Sequence, residues 1–166
     1  VEKINCCIGF GPFPGRRKSR GSGKILNRDI YHDLGLIKKW GARTIISLIE
    51  AREISETYLK LIAGYAYKNK IKHIHFPIKD YAAPEMLSNI QWQKIKEDLH
   101  RGLANNEPLF IHCKGGLGRS GTICAQLLIE HGYTVEFSLK NIRNISPGAI
   151  ETSAQLNYLY TIIKNI

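Results

Sequence analysis

Strand-like and helix-like runs alternate along 166 residues, which predicts an α/β fold: a largely parallel sheet of four or five strands flanked by helices. Three observations carry that expectation. "TIISLI" (44–49) and "LFIHC" (109–113) are short apolar runs, typical of strands covered on both faces. Amphipathic stretches of helical period separate and follow them. A glycine-rich loop, "HCKGGLGRSGT", leaves directly from the end of the second run, and open α/β sheets bind ligands at that edge.

Taken in order, residues 1–26 read as irregular, because "GFGPFPGRRKSRGSGK" is dense in Gly and Pro. A helix follows from an N-cap at Asn27, with Ile30, Leu34 and Ile37 on one face and Gly41 as its stop. After the 44–49 strand comes a helical stretch over 54–69. The alternation of Ile74, Phe76 and Ile78 in "HIHFPI" predicts a strand that runs into the loop "KDYAAPE". Residues 85–103 form a long amphipathic helix through Met86, Ile90, Ile95 and Leu99. Past the 109–113 strand and its loop, helices are expected over 120–131, closed by Gly132, over 135–145, ended by Pro147, and over 151–164. Repeats and linkers are absent, so residues 1–166 are expected to make one domain.

Composition narrows the partners. Hydrophobic residues are 43% and charged residues 23%, as in globular proteins, and no apolar run approaches the roughly 18 residues that span a bilayer. Lys and Arg number 24 against 14 Asp and Glu, a formal +10, which favours phosphoproteins, anionic phospholipid headgroups or nucleic acid. No basic stripe is interleaved with aromatics, so nucleic acid is not expected. The run "GRRKSRGSGK" (15–24) reads as a solvated loop; if it functions, it is a rim that attracts acidic sequence or phosphate. Cys6, Cys7, Cys113 and Cys124 show neither a disulfide framework nor a zinc spacing, which points to a reducing, cytoplasmic compartment. A monomer is expected.

The loop carries the chemistry. Successive N–H groups in such a turn form an anion nest, and the helix that follows adds its positive end. Gly115, Gly116 and Gly118 allow the backbone angles and close approach this needs. Cys113 lies at the floor, where amides, helix terminus and Arg119 all favour an ionised sulfur, a nucleophile facing a bound phosphoryl group. Arg119 offers a planar fork for two phosphoryl oxygens, which Lys would not match. Ser120 is placed to donate a hydrogen bond to the sulfur and help it leave. His112 orients the loop rather than acting on substrate, and no second ligand at metal spacing accompanies it, His73 and His75 fitting a strand surface. Lys114 adds charge at the rim or is simply solvated; Leu117 and its neighbours contribute backbone regardless of side chain.

Cys-x5-Arg preceded by His and followed by Ser-Gly-Thr resembles the cysteine-dependent protein phosphatases. "FPIKDYAAPE" and "SPGAIETSAQLNYL" resemble matching segments of the dual-specificity phosphatases, nearest the cyclin-dependent kinase-associated phosphatase family, over residues 25 to 165. The resemblance implies a tyrosine phosphatase-like fold and two-step phosphomonoester hydrolysis through a phosphocysteine, with no metal and no cofactor. That chemistry needs a general acid. Asp80, after a strand, in a mobile-looking loop and 33 residues before the cysteine, is the candidate; Glu85 is its rival but looks like the start of a helix. Gln155 matches a family glutamine that positions water or braces the loop, or is a polar residue near a helix start.

Three readings of substrate follow: protein phosphotyrosine, with phosphoserine and phosphothreonine if the cleft is shallow; a phosphoinositide or small phosphorylated molecule at the same site, favoured by Lys114 and disfavoured by Leu117; and a module that binds phosphoprotein without hydrolysing it. Arsenate reduction or sulfur transfer would need a resolving cysteine close in sequence, which the loop lacks.

Overall fold

The computed structural model describes residues 7–18, 25–27, 29–83 and 90–163. Its elements in chain order are β1 (Ile8–Pro12), β2 (Arg16–Lys18), β3 (Ile25–Asn27), α1 (Ile30–Lys39), β4 (Thr44–Ser47), a single 3-10 turn (Ala51–Glu53), α2 (Glu56–Lys68), β5 (Lys72–His75), α3 (Ile90–Ala104), β6 (Leu109–Cys113), α4 (Gly118–Glu130), α5 (Val135–Ile145) and α6 (Ser153–Ile163). The α/β expectation holds. Four parallel strands lie in the order β1-β6-β4-β5, with Ile8 opposite Leu109, Thr44 opposite Leu109 and Thr44 opposite Lys72. All four therefore point their carboxyl ends at one edge.

The N-terminal expectation fails. Residues 8–12 are the edge strand of the sheet rather than irregular chain, and β2 and β3 pair antiparallel as a separate two-stranded sheet. Gly9, Gly11 and Pro12 conceal a strand because their local propensity is poor. Tertiary packing overrides it: a Cβ on Gly9 would sit 3.0 Å from the Trp40 ring and 3.2 Å from Phe110. Pro12, last in an edge strand, breaks no ladder. Residues 19–24 of the basic run, and the expected helical start at 85–89 with Met86 and Glu85, lie outside the described residues.

Smaller corrections follow the same logic. Asn27 belongs to β3, and Asp29 caps α1 instead, its carboxylate accepting from Tyr31 N at 2.9 Å. Ile30, Leu34 and Ile37 are buried as expected, and Gly41 takes φ +103 after the helix. Ser55 caps α2, its hydroxyl accepting from Thr57 N. On α3, Leu99 is buried and Ile95 packs against the core as expected, whereas Ile90 is 74% exposed and Trp92 and Leu103 are buried in addition. Helix α4 begins at Gly118, two residues before its expected start. It is buried from Gly118 to Leu127, between the sheet and α5 and α6. Ile45, Ile46, Leu48, Ile62, Ile111, Ile123 and Leu159 complete the core, each worth about 1.5–3 kcal/mol. That core fixes β6 and α4 rigidly, and the glycine loop spans the gap between them.

Candidate active site

Strand β6 delivers Cys113 to the carboxyl edge, where Pro12 of β1 is its register partner. The chain then turns through 114–117 into α4. Gly116 makes the turn possible: its φ is +73, and a Cβ there would lie 2.2 Å from the Gly11 carbonyl carbon and the Pro12 nitrogen. Gly118 is required for a second reason, since a Cβ would fall 2.5 Å from Glu151 Oε2 and 2.8 Å from Gln155 Nε2. Gly115 differs from the expectation: a side chain there meets nothing within 4 Å. Leu117 caps α4 with no side-chain bond, and its carbonyl accepts from Gly121 N and Ile150 N. The cysteine sulfur is buried, accepts from Gly116 N at 3.2 Å and stands 3.4 Å from Ser120 Oγ. It is turned into the loop, toward the Gly116 amide.

Arg119, on the first turn of α4, is held from three sides. Its terminal nitrogens donate to Glu53 Oε2 at 2.5 Å and Oε1 at 2.8 Å, one also to the Ile78 carbonyl at 2.9 Å, and the other pairs with Asp80 Oδ1 at 2.9 Å. The side chain of Arg119 is 1% exposed and that of Glu53 8%, while that of Asp80 is 40% exposed. Burial alone would lower the guanidinium and raise the Glu53 carboxyl. Their mutual bond reverses both: Arg119 is held above its ordinary range, with Cys113 and Asp80 adding attraction, and Glu53 is held below its own, with the Glu50 backbone and Lys114 helping. Arg119 Nε is buried with no hydrogen-bond partner.

Glu53 was not among the expected site residues. It closes the 3-10 turn just past β4, bonding back to Glu50 N at 2.8 Å. The signal was available, since an acidic residue beyond the carboxyl end of a buried strand lies on the ligand-binding edge. Asp80 is brought to the site as expected, but its loop is anchored rather than free. Ile78 N donates to Leu48 O, while Tyr81 O and Ala82 O accept from Thr152 Oγ1 and Gln155 Nε2.

His112 is fully buried, 2.7 Å through Nε2 from Ser47 Oγ and edge-on to Phe13 at 5.5 Å; burial pushes it down to about 3. Gln155 is also buried, its Oε1 accepting from Glu151 N and Thr152 N. It therefore joins α6, the Asp80 loop and the glycine loop. Lys114 is half-buried, and its carbonyl accepts from Phe13 N at 3.5 Å.

A family model described as a Swiss Army Knife protein, DSP-PTPase phosphatase domain, matches residues 27–159. The chain belongs to the dual-specificity-type protein tyrosine phosphatases. This phosphatase is 31% identical over 166 residues to human cyclin-dependent kinase inhibitor 3, covering 96% of the chain and 74% of that protein. The pig protein of the same name is 32% identical over 140 residues, covering 82% of the chain and 65% of its own length. A solved structure of kinase associated phosphatase, with serine replacing its catalytic-site cysteine, superposes at a TM-score of 0.79 with 27% identity, covering 98% of this chain and 89% of that one. In this phosphatase a cysteine sulfur, a guanidinium, a carboxylate and a hydroxyl thus converge at one sheet edge. Among the described residues, no helix is long and apolar enough to cross a membrane.

Proposed function

We propose that this chain hydrolyses phosphomonoesters on proteins, phosphotyrosine first and phosphoserine and phosphothreonine with it, through a phosphocysteine on Cys113. One observation carries the reading: the buried sulfur faces the Gly116 amide at 3.2 Å, with Ser120 Oγ at 3.4 Å, inside a loop that α4 and Arg119 close. The loop amides of 114–118 and Arg119 hold the phosphoryl oxygens. The sulfur attacks phosphorus in line, and the bond to the leaving oxygen breaks as Asp80 protonates it. Water, deprotonated by Asp80, then attacks the phosphocysteine, and the Ser120 hydroxyl stabilises the departing sulfur. Glu53 keeps the guanidinium plane in place, and Asp80 gives up its contact with Arg119 when phosphoryl oxygens arrive. Gln155 braces Gly118 and the Asp80 loop together.

Turnover of p-nitrophenyl phosphate and of phosphopeptides tests this. Cys113→Ser abolishes it while oxyanion binding survives, and Asp80→Ala lowers kcat by about a hundred- to ten-thousand-fold. Wild-type-like turnover in either variant refutes the roles. A second reading, a phosphoinositide at the same site, rests on half-buried Lys114 beside the nucleophile and the net positive charge. Higher kcat/KM on soluble phosphoinositides than on phosphopeptides would select it.

A further inference from the structure

Among the described residues, Lys70, Tyr81, Asn106 and Ile150 take positive φ without being glycine. Lys70 and Asn106 follow the ends of α2 and α3, where a left-handed residue is ordinary, and Tyr81 sits in the turn that Ala82 N closes on the Lys79 carbonyl. Ile150 has no such excuse. It is β-branched and buried, and its φ is +60. A conformation of that kind persists only where the surroundings over-determine it. The group that holds it is Arg143, an exposed residue on the last turn of α5. Arg143 donates through Nε to the Ala149 carbonyl and through Nη2 to the Ile150 carbonyl, each at 3.3 Å.

Held this way, Ile150 aims its own N–H at the carbonyl of Leu117, at 3.3 Å. Leu117 is where the phosphate loop becomes helix, and its carbonyl also accepts from Gly121 N at 3.1 Å. A trans peptide is planar, with its C=O and N–H directed oppositely. No described peptide bond is cis. Two donors on the outer side of the Leu117 carbonyl therefore turn the Gly118 N–H, on the other edge of the same plane, into the loop. Phe13 N does the same for the Lys114 carbonyl at 3.5 Å, which turns the Gly115 N–H inward. The two peptide planes thus have separate anchors, one on the segment after β1 and one on the segment after α5.

We propose that Arg143 is a positioning residue for the anion site: by clamping the Ala149 and Ile150 carbonyls it keeps the Ile150 N–H on Leu117, and so keeps the Gly118 amide aimed at bound phosphate. Without the clamp Ile150 relaxes toward an ordinary φ, its N–H leaves the Leu117 carbonyl, and one donor of the loop is no longer fixed. Arg143 itself touches no substrate. An arginine in a last helical turn also supports the helix end, a role that would move stability alone. The inference rests on the loop of 113–119 as a phosphate site, and its test requires no turnover.

The full chain with nitrogen-15 in its glycines is titrated with inorganic phosphate, reading the dissociation constant and the amide shifts of Gly115 and Gly118. Both amides are expected to move in the wild type. Arg143→Met is expected to weaken phosphate about tenfold, the worth of one hydrogen bond to a charged group. It should also lose most of the Gly118 shift at saturation, while Gly115, anchored by Phe13, keeps its own. Lys140→Met removes the same charge from an exposed site on the same helix and should change neither readout. A full Gly118 shift with an unchanged constant in Arg143→Met overturns the proposal, whatever happens to its urea midpoint. So does an equal weakening in Lys140→Met, which would be long-range attraction. If Arg143→Met does not fold, Arg143→Lys decides: one ammonium in place of the fork should weaken phosphate about threefold and shrink the Gly118 shift, and wild-type values overturn the proposal. A wild type that binds no phosphate overturns the loop as an anion site and this inference with it. Phosphate binding in which wild-type Gly118 does not move overturns the inference alone.

Discussion

Arg119 and Glu53, 66 residues apart, form a two-pronged ion pair in which both carboxylate oxygens meet both terminal nitrogens of the guanidinium, at 2.5 and 2.8 Å. Both side chains are buried, so neither charge has water to fall back on. Removing one partner of such a pair leaves the other uncompensated, at about 3–5 kcal/mol. Glu53→Ala is expected to lose about that much stability in urea, less what Asp80 and the Ile78 carbonyl retain. It should also lower kcat/KM for aryl phosphate by about a hundredfold, since the fork then wanders. An unchanged urea midpoint would remove Glu53 from the site.

The glycines of the loop should separate under substitution. Gly116→Ala combines φ +73 with a 2.2 Å collision against β1 backbone, which cannot retreat as a flexible side chain could. A loss on the order of 3 kcal/mol and near-complete loss of turnover are expected. Gly115→Ala meets nothing, and its melting temperature should stay within about 2 °C of wild type. Equal effects at the two positions would contradict the geometry.

Acid should destabilise this protein in two stages. His73 and His112, free to charge when unfolded near pH 6.5, resist it when folded down to about 4 and about 3. The unfolded state therefore binds more protons below about pH 6.5, and stability falls with pH from there by about 1.4 kcal/mol per unit for each proton of difference. Glu53 and Glu130 have lowered folded values, so their contribution is full above about pH 4.5 and is lost as pH falls through the folded range. His73→Gln should remove one proton from the slope between pH 6 and 4.5, read from urea midpoints against pH. An unaltered slope would show that His73 is not buried neutral.

Gln155→Leu keeps the bulk and removes the acceptor for Glu151 N and Thr152 N and the donor to Ala82 O. Stability should fall by about 1–3 kcal/mol. The Asp80 loop loses one of its ties to α6, so kcat should fall while KM for aryl phosphate stays near wild type. A KM effect alone would assign Gln155 to binding instead.

The residues of the loop were legible because their constraint is local. Gly116 and Gly118 sit where backbone passes backbone or side chain at close range, and Cys113, Arg119 and Ser120 keep a spacing that one strand, one turn and one helical turn dictate. β6 and α5 were legible to the residue, since a run buried on both faces and a helix stopped by Pro147 have unambiguous patterns. Ile90 was misplaced because one apolar residue at a helix start fits two faces, and Trp92 captures the core.

The amino-acid order alone singled out Cys113, Arg119, Ser120 and Asp80 and the edge of an α/β sheet at which they meet. Only tertiary structure decided that Gly9 and Gly11 belong to a strand, that Glu53 grips Arg119, and that Ser47 joins two histidines. Those contacts link segments from 26 to about 100 residues apart. Short-range pattern reports the conformation a segment prefers, whereas the partner of a buried charge or hydroxyl is set by which strands lie side by side in the folded sheet.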